Sequence, residues 1–415
     1  MGLSSRRTLV GLVLALSSFG LAVGIRSAGA APAEERRPAP VRPKQPTRDA
    51  LLKGFNPRER QLEAGHYTSP LAQDYQATLT VDPAFDGFVS GLLERYQVPQ
   101  AGFIAIEPST GRVLSYVSHS EDPSDARDHV LDPSPPAASV FKLITGSALL
   151  DQGLTPESNV CYHGGASALG LAELTDNPKL DTACISLSGA LGFSVNAVFG
   201  KLALKHLDST KLSRYAGAFG FGESLPFDAK VESGVADVPS EPVEFARTAA
   251  GFWHMHMSPL HAALIAATVA NHGRMMRPQI VDRIVDPSGK LVSRAEPELH
   301  RSVLERRTAD LMARMMRTTV AQGTARKTFF DAKGNPFLPG VEVAGKTGTL
   351  SKERPYRGYT WFVGFAPAKD PKIAVAALIV NSPKWRIKAP YLAREALRYY
   401  LLEAPKKVTA QVASR

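Results

Sequence analysis

The chain predicts a mixed α/β fold, and three observations carry that prediction. Short β-type apolar runs lie near both ends of residues 75–404, a mainly helical block fills 139–271, and an amphipathic segment closes the pattern at 389–402. Strands at both ends with helices inserted between them imply one mixed sheet assembled from distant segments, with a helical subdomain beside it. At 415 residues and 44% hydrophobic the chain has ample material for a core, and a large α/β enzyme uses most of such a length as one unit.

Taken in order, residues 1–30 read as a targeting segment. Arg6 and Arg7 form a basic start, residues 9–25 an apolar stretch diluted by Ser17, Ser18, Gly20 and Gly24, and Ala28-Gly-Ala30 a small-residue cleavage site. The stretch is shorter than the roughly 20 residues a spanning helix prefers, which favours a cleaved signal peptide over a retained N-terminal membrane anchor. Both imply export. Residues 31–74 read as a Pro-rich basic linker, with five prolines between Pro32 and Pro46 and few large apolar residues to build a core. The first sixty residues hold eleven Lys or Arg against four Asp or Glu, so most of the net charge of +10 lies outside the folded part. With no basic face on the folded region and no recognition motif, nucleic acid is excluded as a partner.

Within 75–404, a strand hairpin turns at Pro108-Ser-Thr-Gly111. Pro133, Pro135 and Pro136 then precede an apolar run, 137–150, that Gly153 closes, the usual punctuation of a helix. That run is apolar nearly all round, which places it centrally. A second hairpin is expected around Asp286-Pro-Ser-Gly289, a long helix at 309–320, strands at 341–347, 358–365 and 372–381, and a helix at 389–402. Residues 405–415 read as a tail. No internal repeat is present.

Three short segments carry the chemistry: Ser139-Val-Phe-Lys142, Ser194-Val-Asn196 and Lys346-Thr-Gly-Thr349. Ser139 sits in the first turn of its helix, and residues three apart share a helix face, so Lys142 lies beside the Ser139 hydroxyl. A free serine is a poor nucleophile, and a lysine with its ordinary pKa of about 10.4 is no base at pH 7. Burial and a neighbouring cation such as Lys346 both disfavour the charged amine and free its lone pair. Each segment alone is common by chance; all three in order, on helix, loop and strand, are not.

The trio resembles the signature of penicillin-binding proteins and related serine β-lactamases. The resemblance to the penicillin-binding transpeptidase domain extends through residues 79–118, Met257-Ser-Pro-Leu-His-Ala-Ala263, Gln322-Gly-Thr-Ala325 and Trp361-Phe-Val-Gly-Phe-Ala-Pro367, covering about 75–404. It implies a β-lactamase/transpeptidase-like fold, a central mostly antiparallel sheet flanked by helices plus an inserted helical subdomain. It also implies a peptidoglycan D,D-transpeptidase that works without a cofactor or metal and binds stem peptides and β-lactams. Ser139 would be the nucleophile, Lys142 its base and Ser194 the proton carrier. Asn196, Lys346, Thr347, Gly348 and Thr349 would hold substrate, and the backbone N–H groups of Ser139 and Thr349 would form the oxyanion hole. Such an enzyme is expected in the periplasm or on the outer face of the inner membrane, with contacts to that membrane through its N-terminus and to division or elongation proteins.

The same residues leave a D,D-carboxypeptidase, a β-lactamase and a catalytically weak cell-wall or division scaffold as alternatives. Against a β-lactamase, Glu173-Leu-Thr-Asp-Asn177 imitates the Glu-x-x-x-Asn spacing of class A enzymes but precedes Ser194, which is the wrong chain order. Two departures favour altered substrate fit: Ala137-Ala138 stands where the family usually has Pro-Gly, and the bulky Phe252-Trp-His-Met255 replaces small residues. His254 and His256, with Met255 and Met257, suggest a copper or zinc site, against which a structural or substrate-wall role is the stronger reading. Cys161 and Cys184 either pair in an oxidising compartment or stay as buried thiols.

Overall fold

Two five-stranded antiparallel sheets organise the chain, in a computed structural model that describes residues 46–165, 169–252 and 254–405. The central sheet runs in the order Ala344–Glu353, Tyr356–Ala366, Ile373–Asn381, Gln100–Ile106, Val113–Ser120. Ile373–Asn381 is buried along its whole length, and its side chains alternate between two cores. Ala374, Ala376, Leu378 and Val380 join the larger core, whereas Ile373, Val375, Ala377 and Ile379 join the smaller. That alternation follows from the period of two in a strand. A helix covers each face: Pro259–Ala270, buried at every position, packs on the larger core, and Ala389–Arg398 on the smaller. A continuous apolar run is therefore the right sequence for this strand.

The second sheet corrects the expectation of one mixed sheet. Its order is Gln61–Glu63, His66–Pro70, Gln76–Leu79, Val281–Val285, Leu291–Arg294, so the hairpin around Asp286 pairs with Gln76–Leu79 and not with the central strands. Periodicity identifies a strand; it carries no information on which distant strand receives its hydrogen bonds.

The linker boundary is corrected as well. From Thr47, which caps helix Arg48–Leu51, the chain is folded onto the domain, and Leu51, Leu52 and Phe55 are buried in the larger core. Arg48 reaches Asp228 and the Val281 carbonyl, and Arg60 reaches Asp86 and the Tyr116 carbonyl. Three apolar side chains and two arginines suffice to anchor a segment whose mean composition reads as a tether, because burial depends on individual side chains meeting a preformed surface. The signal or anchor expected at 1–30 and most of the expected tail lie outside the described residues. Among the described residues no helix is long and apolar enough to cross a membrane.

Cys161 and Cys184 form a disulfide, on a small antiparallel hairpin of Asn159–Tyr162 with Ala183–Ser186 inside the block read as helical. Ser186 caps the next helix, Leu187–Phe193. Closing a loop of 23 residues stabilises by about 3 kcal/mol through the unfolded state. Replacing both cysteines with serine is expected to lower the unfolding free energy from urea titration by that amount; an unchanged value would show that the hairpin orders itself without the crosslink.

Candidate active site

The nucleophile turn is the tight helical turn Ala138–Phe141, continuing directly into helix Lys142–Asp151. Lys142 is fully buried, with its Nζ 3.0 Å from Ser139 Oγ. The same nitrogen donates to Asn196 Oδ1 at 2.7 Å and to the Ala250 carbonyl. Burial, and secondarily the Lys346 cation, hold its pKa well below the ordinary lysine value. A neutral amine has two N–H groups and one lone pair. With both N–H groups given to Asn196 and Ala250, the lone pair is left for the Ser139 proton.

Ser194 ends helix Leu187–Phe193 in a left-handed conformation, φ 60°, before Asn196 opens helix Asn196–His206. That reversal sends the two side chains to different lysines: Asn196 to Lys142, Ser194 to Lys346. Lys346 lies on the edge strand Ala344–Glu353, fully buried, and its Nζ donates to Ser194 Oγ at 3.0 Å and to the Thr347 carbonyl at 2.8 Å. Burial alone brings its pKa down to about 7. Two buried lysines thus each address one half-buried serine hydroxyl.

Two glycines set how closely these elements approach. A methyl group on Gly348 would come within 3.2 Å of Ala138 Cβ, so the strand closes directly on the nucleophile turn. A methyl on Gly251, φ +89°, would meet the Ala138 carbonyl oxygen at 2.4 Å. The turn is held from behind as well, by Trp361 Nε1 donating to the Pro136 carbonyl and Ala137 N–H to the Met255 carbonyl, both at 2.9 Å. Ala138 itself sits at φ 49°, a left-handed position that glycine adopts at lower cost. The departure noted in the sequence therefore falls at a strained residue beside the nucleophile.

All eight sequence-predicted residues converge on this cleft. Hydrogen bonds join Ser139 and Asn196 to Lys142 and, separately, Ser194 to Lys346, and Thr347, Gly348 and Thr349 follow on the strand that meets the turn. Two contributors were missed. The Ala250 carbonyl, signalled only by Gly251 ending helix Pro242–Ala250, accepts from Lys142. Thr324, inside Gln322-Gly-Thr-Ala325, has its Oγ1 2.6 Å from Thr347 Oγ1. His254 and His256 take separate partners, Glu244 Oε2 at 2.9 Å and the Ser134 carbonyl at 2.8 Å. Glu173 accepts the Gly170 N–H at 2.8 Å, a bond that lowers its carboxyl pKa. A buried amine paired with a serine, a second cation beside a second hydroxyl, and an edge strand together suit acyl transfer to serine from a peptide-like, anionic substrate.

Comparison with known proteins identifies the family. The family described as penicillin binding protein transpeptidase domain matches residues 101–397. A peptidoglycan D,D-transpeptidase, PbpA, of Mycolicibacterium smegmatis is 30% identical over 311 residues, 66% of this chain and 61% of the relative. The chain thus spans about three-fifths of the length of that relative. The D,D-transpeptidase domain of a peptidoglycan glycosyltransferase from Eggerthella lenta shares the fold, with a TM-score of 0.66 at 24% identity over 78% of this chain and 82% of that one. Penicillin-binding protein A of Mycobacterium tuberculosis, solved as its penicillin G acyl-enzyme, gives a TM-score of 0.60 at 25% identity, covering 78% of this chain and 79% of that one.

Proposed function

The chain belongs to the penicillin-binding protein transpeptidase family, and on that premise we propose that it is a peptidoglycan D,D-transpeptidase acylated at Ser139. The observation that carries the reading is the Lys142 amine, buried, with both N–H groups engaged and 3.0 Å from Ser139 Oγ. Ser139 Oγ attacks the carbonyl between the last two D-alanines of a stem peptide while Lys142 takes its proton. The N–H groups of Ser139 and Thr349 hold the oxyanion, a contribution of about 3 to 4 kcal/mol per donor in such sites. Ser194 passes a proton to the departing amine, the terminal D-alanine leaves, and an ester to Ser139 remains. Asn196 holds the donor backbone, Lys346 with Thr347 and Thr349 faces its carboxylate, and Gly348 lets the peptide lie against the strand. The amine of a second stem peptide then attacks the ester and forms the cross-link.

A β-lactam follows the same route to the ester and stops there. Among the described residues, Lys142 and Lys346 bond to hydroxyl, amide and carbonyl oxygens, and Glu173 is engaged by Gly170. No carboxylate is among those lysine partners, which supports a long-lived acyl-enzyme over a β-lactamase. This activity places the enzyme outside the cytoplasm, on the periplasmic side of the inner membrane. Intact-mass analysis after brief exposure to benzylpenicillin tests the reading: a stable adduct on the parent chain and none on Ser139→Ala are expected. A folded parent chain that gains no mass and consumes no drug would overturn it in favour of a scaffold.

A further inference from the structure

Thr324 belongs to none of the three catalytic segments, yet it touches two of the elements that carry them. Its N–H donates to the Gly192 carbonyl at 3.0 Å, two residues before Ser194. Its hydroxyl lies 2.6 Å from the Thr347 hydroxyl and 3.4 Å from the same Gly192 carbonyl. The backbone around it has no slack, since a methyl group on Gly323 would fall 2.0 Å from the Gly192 carbonyl oxygen, and one on Gly192 would fall 2.8 Å from Thr318 Cγ2. Helix Leu187–Phe193 is tied to helix Arg306–Ala321 once more through Ser188 Oγ and Thr318 Oγ1, at 2.8 Å. Thr324 thus stands on a fixed backbone, with an exposed hydroxyl aimed at the substrate strand.

Each hydroxyl has one proton to give. If Thr324 gives its proton to the Gly192 carbonyl, Thr347 donates to Thr324 and its own proton is spent within the protein. If Thr324 donates to Thr347, the Thr347 proton is free for a ligand, and an anion beside Lys346 selects that arrangement. We propose that Thr324 is a positioning residue that turns the Thr347 O–H toward the substrate carboxylate. The inference rests on the acyl-transfer reading for the identity of the anion.

The test compares second-order acylation rates of the parent chain, Thr324→Val and Thr324→Ser with benzylpenicillin and with its methyl ester, alongside melting temperatures. Thr324→Val is expected to react about fivefold more slowly with benzylpenicillin, the worth of one hydrogen bond of about 1 kcal/mol. Thr324→Ser, which keeps the hydroxyl, is expected to recover to within about twofold. With the ester, which lacks the charge that selects the arrangement, parent and Thr324→Val are expected to react alike. A valine variant as fast as the parent on benzylpenicillin, or equally slowed on both compounds, overturns the role. Failure of the acyl-transfer reading is distinct, because the parent chain itself would then gain no adduct.

Discussion

Lys142→Met is expected to slow acylation of Ser139 by about a thousandfold while the chain stays folded. A positioned general base contributes roughly a hundred- to ten-thousandfold, and Lys142 is the one amine within reach of Ser139 Oγ among the described residues. Methionine keeps the length and apolar stem of the side chain in a site with no exposure, so the core volume is preserved. The cost to the fold is the loss of two bonds, those that Lys142 gives to Asn196 Oδ1 and the Ala250 carbonyl. Each such loss is worth about 1 to 3 kcal/mol, offset by no longer burying an amine. Stopped-flow acylation, with a melting curve beside it, separates chemistry from unfolding. A folded methionine variant that acylates at the parent rate would remove Lys142 from the mechanism.

Lys346→Met is expected to lower kcat/KM for carboxylate-bearing substrates by about a hundredfold, the loss of a charge-assisted contact worth 2 to 5 kcal/mol at desolvated sites. It is also expected to abolish an alkaline limb. Burial brings Lys346 down to about 7, so in the free enzyme the cation is present below that pH and lost above it. The kcat/KM of the parent chain should therefore fall as pH rises through about 7, and kcat at a higher pH, because a bound carboxylate favours the ammonium. Stability carries the opposite sign. With a folded pKa near 7 and an unfolded value near 10.4, the unfolded chain binds more protons between those limits, so folding stability rises with pH across that window. The variant lacks that contribution. Urea midpoints at pH 7 and pH 10 that rise equally in both chains would contradict this.

The legible and illegible parts divide by distance along the chain. Ser139 and Lys142 are three apart on one helix, and Lys346 to Thr349 share one strand, so local periodicity places each set on a common surface. Helix punctuation located the nucleophile turn for the same reason. The Ala250 carbonyl is a backbone atom with no residue identity to read, and Thr324 matters only because Gly192, Gly323 and Thr347 happen to meet. The expectations of one mixed sheet and of a linker running through residues 48–55 fail for one cause: the true pairing depends on partners more than a hundred residues away and on a few buried side chains.

Residue types, their order and the alternation of the central strand between two cores follow from covalent spacing and the transfer of apolar side chains out of water. Tertiary structure decided that Lys346 is buried as fully as Lys142 and how the N–H groups of both are used. It also decided that Cys161 meets Cys184, and that the strand closes onto the turn at Gly348 and Ala138. Proton affinities and contact distances depend on which distant groups share a small volume. That is a property of the packed chain, absent from any local stretch of it.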